Sequence, residues 1–350
     1  MLTPAVVEDL KTSIKPRLSL FECLRNKKIL ITGANGLIPG IMVATLAILK
    51  KEFGIPVSVL ATYHNNRSGL DALIEAGYDN IELLQVELAE PFSIKETVDY
   101  IVHGASLASP RKYLANRMDT MKVNVQATLH LLEKAKADGV ENMMYIGSGE
   151  IYGSPEPEFT PTKEDYFPVV NHLSDRACYV ESKRFAESLC QQFSLETGQK
   201  VSVVRPIHVF GPGLAINDGR VIAEFLADAV KTGQVVVRSD GTDRRAFCYL
   251  LDANLMLWHV LLEQQEQFDV FNIGNPNNDV SIAELAQAVA NITDASVDIL
   301  GEKPAFAQGT PARSAPNIDK IQHHFGLAPN VSLLEGLQLT LNWMRDTHAL

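Results

Sequence analysis

The chain has 350 residues, of which 46% are apolar, and it carries a formal net charge of −11. This acidic balance argues against a general binder of nucleic acid or membrane surfaces, but leaves room for a local basic pocket around an anionic ligand. No apolar run approaches the ~18 residues of a transmembrane helix, so no membrane partner is expected. The length suits one large α/β domain, or one such domain with a smaller lobe.

The cysteine and histidine positions argue against two common uses of these residues. The four cysteines, Cys23, Cys178, Cys190 and Cys248, show neither a CxxC pair nor a disulfide framework. A reduced, cytoplasmic enzyme is the simplest interpretation. The nine histidines have no HxxxH or HxH spacing, so no metal site is expected.

The order of predicted elements indicates the fold class. Residues 1–27 lack the apolar segment of a signal peptide and are predicted to form an amphipathic, helical extension. Beyond them, short apolar strands alternate with helical patterns, which predicts an α/β fold with a Rossmann-type, doubly wound parallel sheet. The strands are predicted at 28–32, 57–62, 81–86, 100–103, 142–147 and 201–205, and the clearest helices at 41–51, 123–137 and 179–197.

The rhythm changes after Pro206, where loops rich in Gly and Pro, short strands and separate helices follow. Residues 28–206 are therefore predicted to form an NAD(P)-binding domain. Residues 207–350 are predicted to form mainly a smaller substrate-binding lobe, with room for a segment that returns to the sheet. In such sheets the ligand crevice lies at the carboxyl ends of the strands.

A glycine-rich turn follows the first strand. The stretch "TGANGLIPG" places Gly33, Gly36 and Gly40 between a strand and a helix. Glycines there let the backbone approach a pyrophosphate, and the helix N-terminus supplies N–H donors. The turn predicts a dinucleotide site that includes the intervening Asn35, Leu37 and Ile38.

Local chemistry leaves NAD and NADP both open. The second strand ends with Ala61 where an acid usually binds the adenosine ribose. Arg67 follows with His64 nearby, and an arginine there binds a 2′-phosphate or is simply solvated. Glu87, after the third strand, is placed either to meet the adenine amino group or to be a surface acid. Ala105 follows the fourth strand and is expected beside the cofactor diphosphate.

Two further stretches carry the chemistry. "IGSGEIYGS" contains Ser148 and Glu150 in a turn after a strand, and "CYVESKRFAES" contains Tyr179 and Lys183 at i and i+4, on one helix face. A tyrosine, with an ordinary pKa of roughly 10, becomes a base when a neighbouring ammonium and a positive nicotinamide ring stabilise the phenolate. Tyr179 is therefore predicted to take a proton from a substrate hydroxyl as hydride leaves for the cofactor.

On these stretches, with "HGASLASP", "FGPGLAINDGRV", "DGTDRRAFCYLLDA" and "FNIGNP", the chain resembles an extended short-chain dehydrogenase/reductase. It is most similar to the nucleotide-sugar epimerase/dehydratase family and, within it, to the UDP-glucuronate decarboxylase branch. The resemblance runs from about Lys28 to about Trp343. It implies a retained and regenerated NAD, a UDP-sugar as the substrate, and often a homodimer formed through the helices near 123–137 and 179–197.

The resemblance also assigns roles to residues. Ser148 would hydrogen-bond the sugar 4-hydroxyl, Tyr179 would be the base, and Lys183 its partner and a cofactor ligand. Glu150 matches a glutamate shared by decarboxylases and dehydratases, and Arg245 matches an arginine near the sugar carboxylate and phosphates. The remaining residues expected to bind substrate are Ser109, His208, Arg220 and Arg313.

Two departures from the family pattern matter for the reaction. Gly149 stands where a 4,6-dehydratase has an aspartic acid, so the acid for dehydration is missing. His208 stands where decarboxylases have an asparagine, which puts the exact sugar in doubt. A nucleotide-sugar decarboxylase is therefore the first hypothesis. A 4-epimerase or dehydratase on the same scaffold is the second, and a non-catalytic NAD(P)-binding protein is a remote third.

Overall fold

The computed structural model describes residues 3–216, 219–302 and 310–347. The six strands predicted from the sequence are all present, each within one residue of its predicted ends. The strands are β1 (Lys27–Thr32), β2 (Val57–Tyr63), β3 (Ile81–Gln85), β4 (Tyr100–His103), β5 (Asn142–Ile146), β6 (Val201–Pro206), β7 (Val209–Phe210), β8 (Gln234–Val237), β9 (Arg244–Ala246), β10 (Cys248–Tyr249), β11 (Phe268–Ile273), β12 (Asp279–Ser281), β13 (Ser296–Ile299) and β14 (Arg313–Ser314).

The helices flank and connect these strands. They are α1 (Pro4–Ile14), α2 (Leu18–Phe21), α3 (Leu37–Phe53), α4 (Ser68–Glu75), α5 (Pro110–Ala115), α6 (Arg117–Asp138), α7 (Ala177–Thr197), α8 (Val221–Thr232), α9 (Leu250–Glu263), α10 (Ile282–Thr293), α11 (Asp319–Phe325) and α12 (Leu333–Asp346). Within the described ranges, no helix combines the length and the apolar character needed to cross a membrane.

The main sheet has seven parallel strands in the order β3-β2-β1-β4-β5-β6-β11. The direction of winding reverses between β1 and β4, and a crevice opens outside the carboxyl ends of strands at such a point. The predicted Rossmann-type, doubly wound sheet is confirmed. Its edge strand β11 comes from the part of the chain after Pro206 and pairs with β6 over its whole length.

Alternate residues of each strand point to opposite sides of this sheet, and helices cover both faces. In β1, Ile29 and Ile31 belong to a core cluster with α3 and α9, whereas Leu30 belongs to a second cluster with α6 and α7. The helical extension predicted at the N-terminus is also present. Helix α1 buries Val6 and Leu10 in the first cluster and packs against α3 and α9.

The later part of the chain adds three small sheets, which pair β7 with β10, β8 with β13, and β9 with both β12 and β14. Two of them lead directly to the crevice. Ile207 and His208 join β6 to β7, and β9 carries Arg245 alongside Ser314 of β14. Residues after Pro206 therefore contribute both to the main sheet and to the walls above its carboxyl edge.

Candidate active site

The glycine turn after β1 forms a cradle without side chains. Gly33 has φ +66°, and a Cβ atom there would lie 2.7 Å from the Cα of Ala105. Gly36 caps α3, and Gly40 N donates to its carbonyl at 2.8 Å. Only glycine fits this close approach between the β1 turn and the loop after β4. The open backbone at a helix N-terminus fits the pyrophosphate of a dinucleotide.

Inside this turn the side chains are structural. Asn35 Oδ1 accepts a hydrogen bond of 2.8 Å from Gly69 N, which ties the turn to the start of α4. Leu37 and Ile38 are partly buried against the main core cluster. These contacts help to fix the shape of the cradle.

The residues predicted to bind the adenosine lie near the ends of β2 and β3, and most of them contact another charged side chain of the protein. Arg67 pairs with Asp71 at 2.7 Å, one turn further along α4. His64 Nε2 lies 2.5 Å from Glu87 Oε2, so these two predicted residues meet each other. Ala61 is fully buried and supplies no acid.

Ser148, Tyr179 and Lys183 come together as predicted from the sequence. Ser148 acts to lower the pKa of Tyr179, and its Oγ accepts a hydrogen bond from Glu150 N at 3.2 Å. Lys183 Nζ donates to the carbonyl of Ile146 at 2.7 Å and lies 5.9 Å from the centre of the Tyr179 ring. The carboxyl end of β5 and helix α7 thus position the group of residues that could remove a proton.

Burial dominates the electrostatics of this centre. It raises the pKa of Tyr179, and the Glu150 carboxylate raises it further, while Ser148, Arg220 and Arg176 act in the opposite direction. Burial also lowers the pKa of Lys183 to about 7. In the protein without ligands Tyr179 is therefore a neutral phenol, and its use as a base depends on the positive charge that a bound cofactor brings.

Glu150 is held by an arginine that the sequence analysis missed. Arg176 donates to Glu150 Oε2 at 2.6 Å, and its guanidinium lies 5.7 Å from the centre of the Tyr113 ring. Tyr113 in turn stacks on Tyr179, with 4.8 Å between ring centres and 12° between planes. The available signal was the position of Arg176, three residues before Tyr179 in "RACYVESK".

The C-terminal part of the chain brings two predicted arginines to the same crevice. Arg245, on β9, is 11% exposed and lies 3.5 Å from Asp243. Its partial burial lowers its pKa, with Asp243, Arg176 and Glu150 among the charges that act on it. Arg220 stands at the start of α8 and donates to the carbonyl of Val209 at 3.3 Å. Together with Arg176 they surround Glu150 and Tyr179 with positive charge.

His208 occupies an unusual backbone position beside these arginines. Its φ is +45°, a left-handed conformation that residues other than glycine seldom adopt. Its Nε2 lies 3.0 Å from Ser314 Oγ. Burial, reinforced by Arg245 and Arg220, lowers the pKa of His208 to about 3, so the ring is neutral at physiological pH.

Two predicted substrate residues have structural contacts of their own. The Arg313 guanidinium pairs with Asp279 at 2.7 Å and reaches the carbonyl of Thr160 at 3.4 Å. Ser109 is buried at the start of α5. The structure therefore directs the charge of Arg313 towards Asp279.

A second set of residues not predicted from the sequence includes Glu187, whose carboxylate acts to raise the pKa of Lys183. Glu187, one turn further along α7, is buried and pairs with Arg205 at 2.8 Å. Arg205 also donates to the hydroxyl of Tyr152 at 2.8 Å. Gly147 makes this possible, because a Cβ atom there would lie 2.5 Å from Glu187 Oε1.

The turn that carries Glu150 has no space for a second acid. A Cβ atom on Gly149 would lie 2.2 Å from Ile207 Cγ1. Ile207 comes from the link between β6 and β7 and is itself buried. The departure at position 149 that the sequence shows is thus matched by the packing around it.

The fold and the tyrosine–lysine centre define a dinucleotide-binding α/β enzyme with its reactive groups at the carboxyl edge of the sheet. The sequence pattern of the NAD dependent epimerase/dehydratase family matches residues 29–274. The chain belongs to this family, which is NAD dependent. The predicted family and enzyme class are confirmed.

Individual relatives and a solved structure show which proteins this chain is similar to. UDP-glucuronic acid decarboxylase 1 of Xenopus tropicalis is 34% identical over 322 residues, which cover 91% of this chain and 72% of that protein. UDP-glucuronic acid decarboxylase 5 of Arabidopsis thaliana is 33% identical over 339 residues, which cover 95% of each. The crystal structure of the dTDP-glucose 4,6-dehydratase DesIV of Streptomyces venezuelae, with NAD bound, has a TM-score of 0.79 and 22% identity and covers 92% of this chain and 98% of that one. The last likeness concerns the fold.

Proposed function

We propose that this protein is a UDP-glucuronate decarboxylase that oxidises the sugar at C4, releases the C6 carboxylate as CO2 and reduces C4 again. The observation that carries this proposal is the arginine surrounding of the Glu150–Tyr179 centre, formed by Arg176, Arg220 and Arg245. A nucleotide sugar acid brings a diphosphate and a carboxylate, and guanidinium groups bind such anionic groups. The decarboxylases among the curated relatives support the same conclusion.

The cradle of Gly33, Gly36 and Gly40 would hold the diphosphate of NAD, with Ala105 opposite. Lys183 would hold the nicotinamide ribose, and Glu87 the adenine. The nicotinamide supplies a hydride acceptor and donor at C4. NADP is the less favoured cofactor, because the one arginine at the expected place, Arg67, is already paired with Asp71.

Ser148 and Tyr179 would act at the C4 hydroxyl. The serine hydroxyl, which acts to lower the pKa of the tyrosine, would hold the sugar oxygen within reach of the phenolate. Tyr179 would take the hydroxyl proton while the C4 hydrogen leaves as hydride, and the electron pair of the O–H bond forms the C4 ketone. Lys183 would keep the base ready for this transfer from the same helix face.

The ketone makes the sugar a β-keto acid. The bond from C5 to the carboxylate breaks, CO2 leaves, and the electron pair becomes an enolate delocalised onto the C4 oxygen. Arg245 would hold the anionic sugar in place, and Glu150 would position a water for reprotonation at C5. Tyr179 returns its proton to the C4 oxygen when the ketone is reduced. No acid is required to protonate a departing hydroxyl, in agreement with the filled space at Gly149.

The second candidate is a 4-epimerase on the same scaffold, favoured by His208 in place of the asparagine of decarboxylases. A neutral imidazole fixed by Ser314 presents a larger and stiffer wall to the sugar. Ser109, Arg220 and Arg313 would complete the nucleotide end of the site. A dehydratase is disfavoured by the Gly149–Ile207 contact.

We further propose that the protein is a homodimer formed through α6 and α7. These two helices pack against each other on one face of the sheet, and their outer surfaces expose large apolar side chains. The exposed residues are Met118, Met121, Leu129, Phe185 and Leu195. A second copy of the same surface would cover them across a two-fold axis.

We also propose a role for each part of the chain and a cellular compartment. Residues 1–27 would form an N-terminal extension, residues 28–206 would hold the cofactor, and residues 207–350 would mainly bind the nucleotide sugar. The four cysteines are unpaired thiols, and three of them are buried. Free thiols of this kind suit the reducing cytoplasm.

The test is incubation of the purified protein with UDP-glucuronate, with and without added NAD, followed by proton NMR and CO2 detection. We expect CO2 release with formation of a UDP-pentose or its 4-keto precursor. Product formation without added NAD would show that the cofactor is retained during purification. A retained carboxylate with inverted C4 would instead establish the epimerase, and an unchanged substrate would contradict the proposal.

A further inference from the structure

Arg176 joins three parts of the active site that come from different elements. It stands at the start of α7, where its carbonyl accepts a hydrogen bond of 3.0 Å from Tyr179 N. Its guanidinium pairs with Glu150 in the turn after β5 and faces Tyr113 of α5. The Arg176 side chain is only 19% exposed, so solvent screens the ion pair weakly.

The contact with Tyr113 extends to the proposed base. Tyr113 is fully buried, and its ring neighbours both the guanidinium of Arg176 and the ring of Tyr179. A planar guanidinium can stack on an aromatic face and pair with a carboxylate at the same time. Movement of Arg176 would therefore disturb both the ring that supports Tyr179 and the carboxylate of Glu150.

We propose that Arg176 is a positioning residue that fixes Glu150 and, through Tyr113, Tyr179 in their working orientations. This inference rests on the proposed decarboxylation, in which Tyr179 serves at C4 and Glu150 at C5. One guanidinium then holds in place both the tyrosine that acts at C4 and the glutamate that acts at C5. A lysine at this position would keep the charge but could not stack and pair in the same way.

The positive charge of Arg176 predicts the direction in which the pH dependence of activity should change when this residue is replaced. Loss of the guanidinium removes one of the groups that oppose the high pKa of Tyr179, so that pKa should rise further. The rising limb of activity against pH should move to higher pH. The other groups that face Tyr179 are Ser148, Glu150, Arg220, Lys183 and Tyr113.

The experiment compares Arg176→Met, Arg176→Lys and a control, Arg117→Met, in the full-length protein. Arg117 pairs with Asp175, the neighbour of Arg176, but its side chain points outward and is 44% exposed. The control therefore removes an arginine of α6 that contacts the residue before Arg176, without touching the site. Thermal unfolding of each variant establishes that it is folded, and Arg176→Lys provides a second folded variant.

For turnover of UDP-glucuronate we expect kcat to fall about 100-fold in Arg176→Met. The rising limb of its pH profile should move up by about half a unit or more. Arg176→Lys should keep the position of that limb but remain about tenfold slow, and Arg117→Met should stay within about twofold of wild type.

A kcat within about threefold of wild type in Arg176→Met, with an unmoved pH profile, would overturn the inference. A fall in kcat of Arg176→Met without any shift of its pH profile would also contradict it, since it would indicate a general structural effect. If the wild-type protein leaves UDP-glucuronate unchanged, the proposed function fails first, and the inference that rests on it fails with it.

Discussion

Ile207 fills the space beside Gly149. A Cβ atom built on Gly149 would lie 2.2, 3.1 and 3.5 Å from the Cγ1, Cδ1 and Cβ atoms of Ile207. The two residues come from the ends of neighbouring strands, β5 and β6, so neither can move without shifting the sheet edge. The position of the dehydration acid is closed by packing as well as by sequence.

The substitution Gly149→Asp should therefore destabilise the protein and produce no dehydratase. We expect a loss of about 2 kcal/mol in the free energy of unfolding, measured by chemical denaturation, because the new side chain overpacks the core. Adding Ile207→Ala to the same variant should recover much of this loss. A Gly149→Asp protein as stable as wild type would show that Ile207 leaves room there.

Tyr179→Phe should abolish turnover and leave cofactor binding intact. The variant loses only the hydroxyl, so the stack with Tyr113 persists. We expect the rate to fall about 1,000-fold, as for loss of a general base. NAD binding measured by calorimetry should not change. Tyr166→Phe is the matched control, because that hydroxyl contacts the exposed Glu156 away from the centre. Near-normal turnover in Tyr179→Phe would exclude Tyr179 as the base.

Lys183 should weaken the ligand-free protein at neutral and low pH. Its folded pKa of about 7 lies below the unfolded value of 10.5, so the unfolded state holds more protons between these two pH values. Stability therefore rises as the pH increases from 7 to 10.5, and the cost of burying the charge is complete below pH 7.

The substitution Lys183→Met removes that cost while abolishing activity. After allowance for the lost hydrogen bond to Ile146, we expect the ligand-free variant to be more stable than wild type by about 3 kcal/mol at pH 6.5. The gap should shrink towards pH 10 in denaturation experiments. A variant less stable than wild type at pH 6.5 would show that the ammonium is stabilised where it lies.

Asp71 should act as a barrier to NADP. It holds the guanidinium of Arg67, which otherwise stands where a 2′-phosphate would need a cation. Asp71→Ala frees this arginine, so we expect the Kd for NADP to fall about fivefold to tenfold. The Kd for NAD, the internal control, should stay within about twofold. An unchanged Kd for NADP would place the 2′-phosphate away from Arg67.

The surface of α6 and α7 should hold two copies of the chain together. We expect Phe185→Glu, which puts a charge into the proposed interface, to convert a dimer into a monomer in analytical ultracentrifugation. Leu334→Glu changes a similarly exposed apolar residue on α12 and serves as the control. A Phe185→Glu protein with the same mass as wild type would require another interface, and a monomeric wild type would contradict the dimer itself.

The sequence predicts most of the fold because its signals are local. The strands before Pro206 are short, buried and separated by helical patterns, and the glycine turn after β1 marks the cofactor end. The return of β11 to the main sheet could not be placed in the same way. It depends on a pairing between Val201 and Phe268, and no local pattern specifies a contact of that range.

The contacts of the candidate site also differ in how far they could be predicted from local sequence signals. Tyr179 and Lys183 are one helical turn apart, so their common face follows from spacing alone. The pairing of Glu150 with Arg176 and the packing of Ile207 on Gly149 depend on loops that meet only in the folded protein. The partner of Arg67 was closer at hand, since Asp71 stands four residues later on the same helix.

The most direct test of the proposed decarboxylation follows two hydrogens through one turnover. UDP-glucuronate with deuterium at C4 is converted in ordinary water, and unlabelled substrate is converted in D2O, with NMR analysis of the sugar. We expect a UDP-pentose that retains the C4 deuterium in the first case and gains one solvent deuterium at C5 in the second, with CO2 released in both. Loss of the C4 label to solvent, or a product that keeps its carboxylate, would contradict it.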